Sequence, residues 1–379
     1  MARKAASLLD HFAAVADPRR DQTKLYPLSE ILAIAVCAVI GGAESWVQVE
    51  VFGNSKIDWF RRFLKLEHGI PSHDTFARVF ALLDPRQVQQ GFQEWIACLC
   101  DGVNIKHVAI DGKTVRGSGK GKGGTRRALH LVHAWAQEQH LLLGAVATDE
   151  KSNEITAIPQ LLAMLDLHGA FVTIDAMGCQ KEIAEQIRDQ GGHYVLAVKE
   201  NQPRLYEDID HLWQEALKQE LIGVQHSFAK THEIGHGRRE TRLCYVFTEL
   251  ESIRDRDWWQ DLKSVAVVVS EREVAGRSSS ECRYYVCSRK ASAKTLLSVI
   301  RDHWGVENSL HWVLDVTFAE DACRIADLRA AENFALLRRL ALSALKRADG
   351  GKGSIRAKQM RAGWNNDFLG EVILETADT

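Results

Sequence analysis

The chain has 379 residues, 46% of them hydrophobic and 26% charged, enough for one large core or two to three domains of an ordinary soluble globular protein. A formal net charge of −2 excludes a uniformly basic sleeve for nucleic acid. Eight cysteines, scattered without a Cys-x-x-Cys pair, exclude a disulfide framework and predict reduced thiols in the cytosol.

The N-terminus, Met1-Ala2-Arg3-Lys4, leads into an amphipathic pattern rather than an apolar signal core. Periodicity predicts helices at Leu8 to Val15, Leu28 to Ile40, Ser45 to Phe52, Lys56 to Phe63, Asp74 to Leu83 and Pro85 to Leu99. The longest apolar stretch, Ile31 to Ala43, has 13 residues, fewer than the roughly 18 that cross a bilayer, and reads as a buried helix. No membrane partner is expected. Ser72 stands where an N-cap belongs, ahead of Phe76, Val79 and Phe80. Two short helices joined at such a turn fit a helix-turn-helix reader of DNA. A plain helical bundle fits as well, because the first 100 residues carry 11 basic and 11 acidic side chains.

The β-branched run Val108-Ala109-Ile110-Asp111-Gly112 closes on an aspartate, and Phe171-Val172-Thr173-Ile174-Asp175-Ala176 repeats the pattern. Each reads as a buried strand whose acid emerges at the carboxyl edge of a sheet, where ligands of open α/β sheets collect. A single acid there can simply cap a turn. Several together repel one another unless a cation compensates them, and hard divalent ions take such oxygen ligands. Between the two runs lie a Gly-rich basic segment, Gly117 to Gly124, a hairpin pattern at Leu129 to Trp135 and Leu141 to Thr148, and a helix predicted from Thr156 to Leu167. A helix at Lys181 to Asp189 and a strand at Tyr194 to Lys199 follow. Three strands, a helix, a strand, a helix and a strand is the order of an RNase H-like domain. Gly112-Lys113-Thr114 resembles the end of a P-loop, but the first glycine of that motif would fall at His107. An aspartyl-phosphate phosphatase would want a second Asp where Lys113 stands.

Past Arg204 a helix gives way to alternating segments, Thr241 to Phe247, Val265 to Ser270 and Cys282 to Ser288, which read as a β-rich insertion ending near Ser292. Helical periodicity resumes at Ala293, passes Glu307 and continues through Glu332 to Lys346. His303, Glu307 and His311 are spaced four apart, which puts all three on one helical face, with Trp304, Asn308 and Trp312 beside them. The His-Glu-x-x-His pattern of zinc enzymes is absent. Glu307 is assigned as a metal ligand, His303 or His311 as a neighbour of the reacting phosphate, and the tryptophans as packing residues. Charge is uneven: Gly112 to His130 holds six basic residues and no acid, and Arg324 to Arg361 holds ten against Asp327, Glu332 and Asp349. Such stripes suffice to neutralise phosphates locally.

Several long motifs, in order, resemble the H-repeat-associated family of bacterial insertion-sequence transposases: Gly69 to Phe76, Ala109-Ile110-Asp111-Gly112-Lys113-Thr114-Val115-Arg116-Gly117-Ser118, Glu150 to Pro159, Thr173 to Gln180, Gly235-His236-Gly237-Arg238 and the helix from Arg301 to Asp315. The resemblance covers nearly the whole chain. It implies an α/β fold: an RNase H-like catalytic core with an N-terminal helical domain and a β-rich insertion before the last catalytic helix. It also implies a DDE triad, mapping onto Asp111, Asp175 and Glu307, that holds two Mg²⁺ ions, with Mn²⁺ as a substitute. The expected segments are a helical, DNA-binding 1–104, the core at 105–203, the insertion at 204–292, the helical completion at 293–348 and a basic tail at 349–379. Expected partners are double-stranded DNA, as element ends and target, and a second copy in a homodimer on DNA, in the cytoplasm and on the nucleoid. Lys113, Arg116, Lys199, His236, Arg238, Arg301, His303 and the basic segment after Arg324 are the candidate DNA contacts. Related insertion-sequence enzymes carry a Tyr, an Arg and a Lys around the glutamate, where this chain has Ile300, His303 and Leu314. Two alternatives remain open on sequence: a decayed DNA-binding relic of a mobile element, and a structure-selective nuclease on the same core.

Overall fold

A computed structural model describes residues 8–100, 103–118, 128–148, 154–235, 237–348 and 352–374. The first hundred residues form five α-helices, α1 Leu28–Ile40, α2 Trp46–Ser55, α3 Ile57–Phe60, α4 His73–Leu82 and α5 Pro85–Leu99. Their starts follow from capping. The Ser72 hydroxyl accepts the Thr75 N–H at α4, and the Asp84 carboxylate accepts the Arg86 N–H at α5, where Pro85 takes the first helical position. The helix predicted at Leu8 to Val15 is only a 3₁₀ turn, Asp10–Phe12.

A nine-stranded mixed sheet follows, built from β1 His107–Val115, β2 Leu129–Ala136, β3 Leu141–Ala147, β4 Phe171–Ile174, β5 His193–Val198, β6 His226–Gly235, β7 Arg238–Phe247, β8 Ser264–Val274 and β9 Arg277–Cys287. Its spatial order is β3-β2-β1-β4-β5-β9-β8-β7-β6. Only β1, β4 and β5 run parallel; every other pairing is antiparallel. The predicted β-rich insertion is therefore a lateral extension of the core sheet, joined through β9 to β5. Its strands run longer than predicted and include β6, whose residues alternate only between partly and fully exposed. The outer ends of β8 and β9 are exposed on both faces, so they show no inside-outside alternation to read.

Helices α6 Glu154–Leu162 and α7 Lys181–Asp189 connect the parallel strands, and α8 Pro203–Lys218 leads into the extension. The α6 helix starts at Glu154 and stops at Leu162, five residues before the predicted end. Beyond β9 come α9 Ala293–His303, a π-helical turn at Glu307–His311, α10 Trp312–Val316, α11 Leu328–Arg347, α12 Ile355–Trp364 and α13 Asn366–Leu374. The helical periodicity predicted from Ala293 to Lys346 is thus divided among α9, the π-helical turn, α10 and α11. The α11 helix is buried on almost every side, as expected for a helix packed within a core. It packs on α1, α4, α5 and β3, so the N-terminal helices and the sheet share one hydrophobic core running from Leu8 to Ile373. No helix among the described residues is long and apolar enough to cross a membrane, and all eight cysteines are free.

Candidate active site

Strands β1 and β4 pair in parallel as far as Ile110 with Ile174. The next residues on these neighbouring strands are Asp111 and Asp175. Asp111 does not end its strand as predicted, because β1 runs on to Val115 along β2, where Asp111 lies opposite His133. Asp175 does lie just past β4, and its Oδ1 accepts the N–H groups of Met177 (3.1 Å) and Gly178 (3.4 Å). The capping role and a site role therefore coexist on this residue. Oδ1 of Asp111 likewise accepts the Gly112 N–H at 2.9 Å.

Burial, reinforced by the charges of Asp175, Glu154 and Glu307, pushes the Asp111 carboxyl up to about 7. Asp175 is also raised, first by burial and then by Glu154, with backbone N–H groups and Lys199 acting against the shift. Glu154 is the site residue that the sequence reading missed. It opens α6, and its Oε1 lies 2.7 Å from His130 Nε2, while His130 Nδ1 lies 2.7 Å from the Thr114 hydroxyl. A Cβ on Gly112 would stand 2.0 Å from Glu154 Oε1 and 2.6 Å from His130 Nε2. Glycine next to Asp111 is what lets Glu154 approach the strand.

The polypeptide around Glu307 departs most from the expected regular helix. A π-helical turn changes which side chains share a face, and such turns recur at functional sites. His303 Nδ1 lies 2.9 Å from the Thr173 hydroxyl, which also meets His107 Nε2 at 2.8 Å. His311 instead turns to Asp111, with Nδ1 3.5 Å from Oδ2. Glu307 is exposed and lines a groove of about 810 Å³ shared with Arg301, Arg238, Arg242, Arg272 and Arg283. Gly305 allows the chain to close on the β2–β3 hairpin, since a Cβ there would meet Gln137 Oε1 at 2.2 Å. Trp304 and Trp312, read as packing residues, are 40% and 58% exposed, and the Arg283 guanidinium lies over the Trp304 ring. Ile300 and Leu314, at the positions where related enzymes carry Tyr and Lys, are buried in the core.

The candidate DNA contacts divide sharply. Lys113 is 7% exposed and ion-paired to Asp315 (2.6 Å) and Asp321 (3.6 Å), so its charge is already spent within the fold. His303 is bound to Thr173, and burial lowers it to about 4, leaving a neutral ring at physiological pH. Neither offers a phosphate a free positive charge. Arg116, Lys199, Arg238 and Arg301 are exposed, although Arg301 pairs with Glu233 and Arg116 with Asp321. His236 lies outside the described residues, as do Lys120, Lys122, Arg126 and Arg127. The basic segment after Arg324 divides: Arg338, Arg339 and Lys358 are buried, whereas Arg324, Arg329, Lys352, Arg356 and Arg361 are exposed.

Asp111 and Asp175, on neighbouring strands and offering hard oxygen donors, suit a divalent ion such as Mg²⁺ in charge and donor type. Among the described residues no three His, Cys, Asp or Glu side chains stand close enough to share one ion.

Residues 104–344 match the family described as Transposase DDE domain, and residues 9–96 match the domain described as DDE_Tnp_1-associated. The chain belongs to the DDE-domain transposase family and is a transposase. A protein of Escherichia coli (strain K12) named "H repeat-associated putative transposase YhhI" is 39% identical over 371 residues, covering 97% of each chain. "Putative transposase YncI" of Escherichia coli O157:H7 is 39% identical over 376 residues, covering 98% of this chain and 95% of that one. Among solved structures, a piggyBac transposase synaptic complex with hairpin DNA aligns with a TM-score of 0.41 at 10% identity, covering 95% of this chain and 77% of the other.

Proposed function

We propose that this transposase cuts DNA at the ends of a bacterial insertion sequence and joins the freed 3′ ends to target DNA, using Mg²⁺ or Mn²⁺ held by Asp111, Asp175 and Glu307. The observation that carries this reading is the placement of Asp111 and Asp175 side by side, just past the last pair of the parallel strands β1 and β4, with Asp111 raised by burial and then by neighbouring acids. The strand order β3-β2-β1-β4-β5, with β2 antiparallel to its neighbours, supports an RNase H-like core over 105–203. In this reading 204–292 is the insertion, 293–348 completes the core, and 1–104 and 349–379 serve DNA.

Divalent ions bound here would lower the pKa of an attacking water and stabilise the departing 3′ oxygen. Asp111 and Asp175 would hold them from the sheet edge, each with Oδ1 already fixed by backbone N–H groups. Glu307 would approach from the groove. Lys199, beyond β5, and Arg238 and Arg301, in the groove, would grip backbone phosphates and set register without reading sequence. Arg116, exposed beyond β1, would do the same. Joining two ends in one event favours a homodimer on double-stranded DNA, working in the cytoplasm on the nucleoid.

The test is incubation of the protein with its flanking element ends and a supercoiled target, with and without Mg²⁺. Metal-dependent nicks together with joined donor–target product are expected. Nicks without joining would move the reading to a nuclease, and binding without nicks to an inactive relic.

A further inference from the structure

We infer that Arg339, His133 and His311 form a one-way hydrogen-bond relay that orients the Asp111 carboxylate, making them positioning residues for strand cleavage. This rests on the reading of Asp111 as a metal-binding acid. The relay begins in the core. Arg339 on α11 forks onto Glu320, with Nη1 2.6 Å from Oε1 and Nη2 3.2 Å from Oε2, and Nη1 also donates to the Ala335 carbonyl at 2.8 Å. Arg339, Glu320 and His133 are fully buried, so water does not compete for these bonds. The arginine Nε stands 2.8 Å from His133 Nε2.

The direction of every later link follows from that contact. A guanidinium has only donors. His133 Nε2 must therefore accept, and its one proton sits on Nδ1. That nitrogen faces His311 Nε2 at 3.3 Å, so His311 Nε2 accepts in turn and the His311 proton sits on Nδ1. That protonated Nδ1 lies 3.5 Å from Asp111 Oδ2, longer than a formed hydrogen bond and of the kind that shortens when a site is loaded.

Asp111 Oδ1 is thus fixed by the Gly112 N–H, and Oδ2 faces the His311 ring across 3.5 Å. A cation at this place would compete with a metal for the charge of Asp111. Lys113, two residues along the strand, is instead paired to Asp315 and Asp321. Outer partners that orient a ligand without neutralising it tune metal affinity and rate.

The experiment uses the full-length protein labelled with ¹⁵N in its histidine rings, together with His311→Asn and His311→Phe. The metal-free protein is expected to show His133 and His311 as Nδ1–H tautomers in long-range ¹⁵N–¹H correlations. An Nε2–H signal at either residue overturns the relay. In cleavage assays His311→Phe is expected to lose about 10- to 100-fold in kcat or in Mg²⁺ affinity, with the Kd for element ends unchanged. His311→Asn, whose amide can donate from the Nδ1 position, is expected to recover most of that loss. Equal loss in both variants, or no loss in His311→Phe, also overturns it. Should Asp111→Ala itself keep full cleavage, the reading of Asp111 fails, and with it the positioning role; the tautomer signals still decide whether the hydrogen-bond chain exists.

Discussion

Among the described residues, two carboxyl groups are pushed up to about 7 for the same first reason, burial, yet they keep different company. Asp111 at the sheet edge is surrounded by further acids, Asp175, Glu154 and Glu307. Glu332 on α11 meets one acid, Asp84, and two cations, Arg329 and Arg86. Perturbation alone does not mark a functional site. What separates the two is that the charges raising Asp111 are those of neighbouring acids, an arrangement that costs stability unless something positive is brought to it.

The sharpest way to break this comparison is to remove the acids one at a time. Asp111→Ala, Asp175→Ala and Glu307→Ala are each expected to lower cleavage about a thousandfold or more while leaving end binding within a few-fold, measured by gel shift and by nicking in Mg²⁺. Glu332→Gln is expected to leave cleavage unchanged. Metal-dependent nicking retained by any of the three alanine variants would remove that residue from the triad. Glu154→Gln is the next test, with an expected loss of about 10- to 100-fold in cleavage if Glu154 supports the metal ligands from outside. A rate equal to wild type across a Mg²⁺ titration would return it to a helix-start acid.

Most of the core sheet was legible because its strands are largely apolar runs buried on both faces, and buried strands read as continuous apolar stretches. The extension was legible only in its inner halves, since the outer halves of β8 and β9 carry no inside-outside alternation. Asp111, Asp175 and Glu307 stood out by position, whereas Glu154 looked like any acid in the first turn of a helix. Arg338 and Arg339 read as part of a basic surface stripe, because a charge run is normally solvated. Only tertiary contact reveals that Glu320 holds Arg339 inside. The π-helical turn that separates the roles of His303, Glu307 and His311 leaves no mark in a four-residue spacing.

Two smaller perturbations probe the same surfaces. Gly112→Ala forces Glu154 and His130 away from the strand and is expected to cost about 1–3 kcal/mol in urea unfolding, the usual range for overpacking. An unchanged midpoint would mean that Glu154 moves freely. Arg238→Ala is expected to weaken end binding modestly and to reduce the slope of log K against log salt by about one, as loss of one phosphate contact does. An unaltered slope would detach the groove from the DNA path.

The finest test concerns Glu332, because it isolates burial from function. Its ordinary value is 4.5 and its folded value about 7, so the folded state binds the proton more tightly than the unfolded chain does. A raised acid of this kind costs nothing below about pH 4.5, and its penalty grows as pH climbs to about 7 and is constant above. Glu332→Gln carries no titrating proton. The variant should therefore match the wild type at pH 4.5 and become progressively more stable than it up to pH 7, by no more than about 3 kcal/mol. Subtracting the two urea-unfolding profiles cancels every other titrating group. A difference that is flat with pH would show that Glu332 keeps its charge through its neighbours Arg329 and Arg86, and that burial alone does not make an acid of this fold resist ionisation.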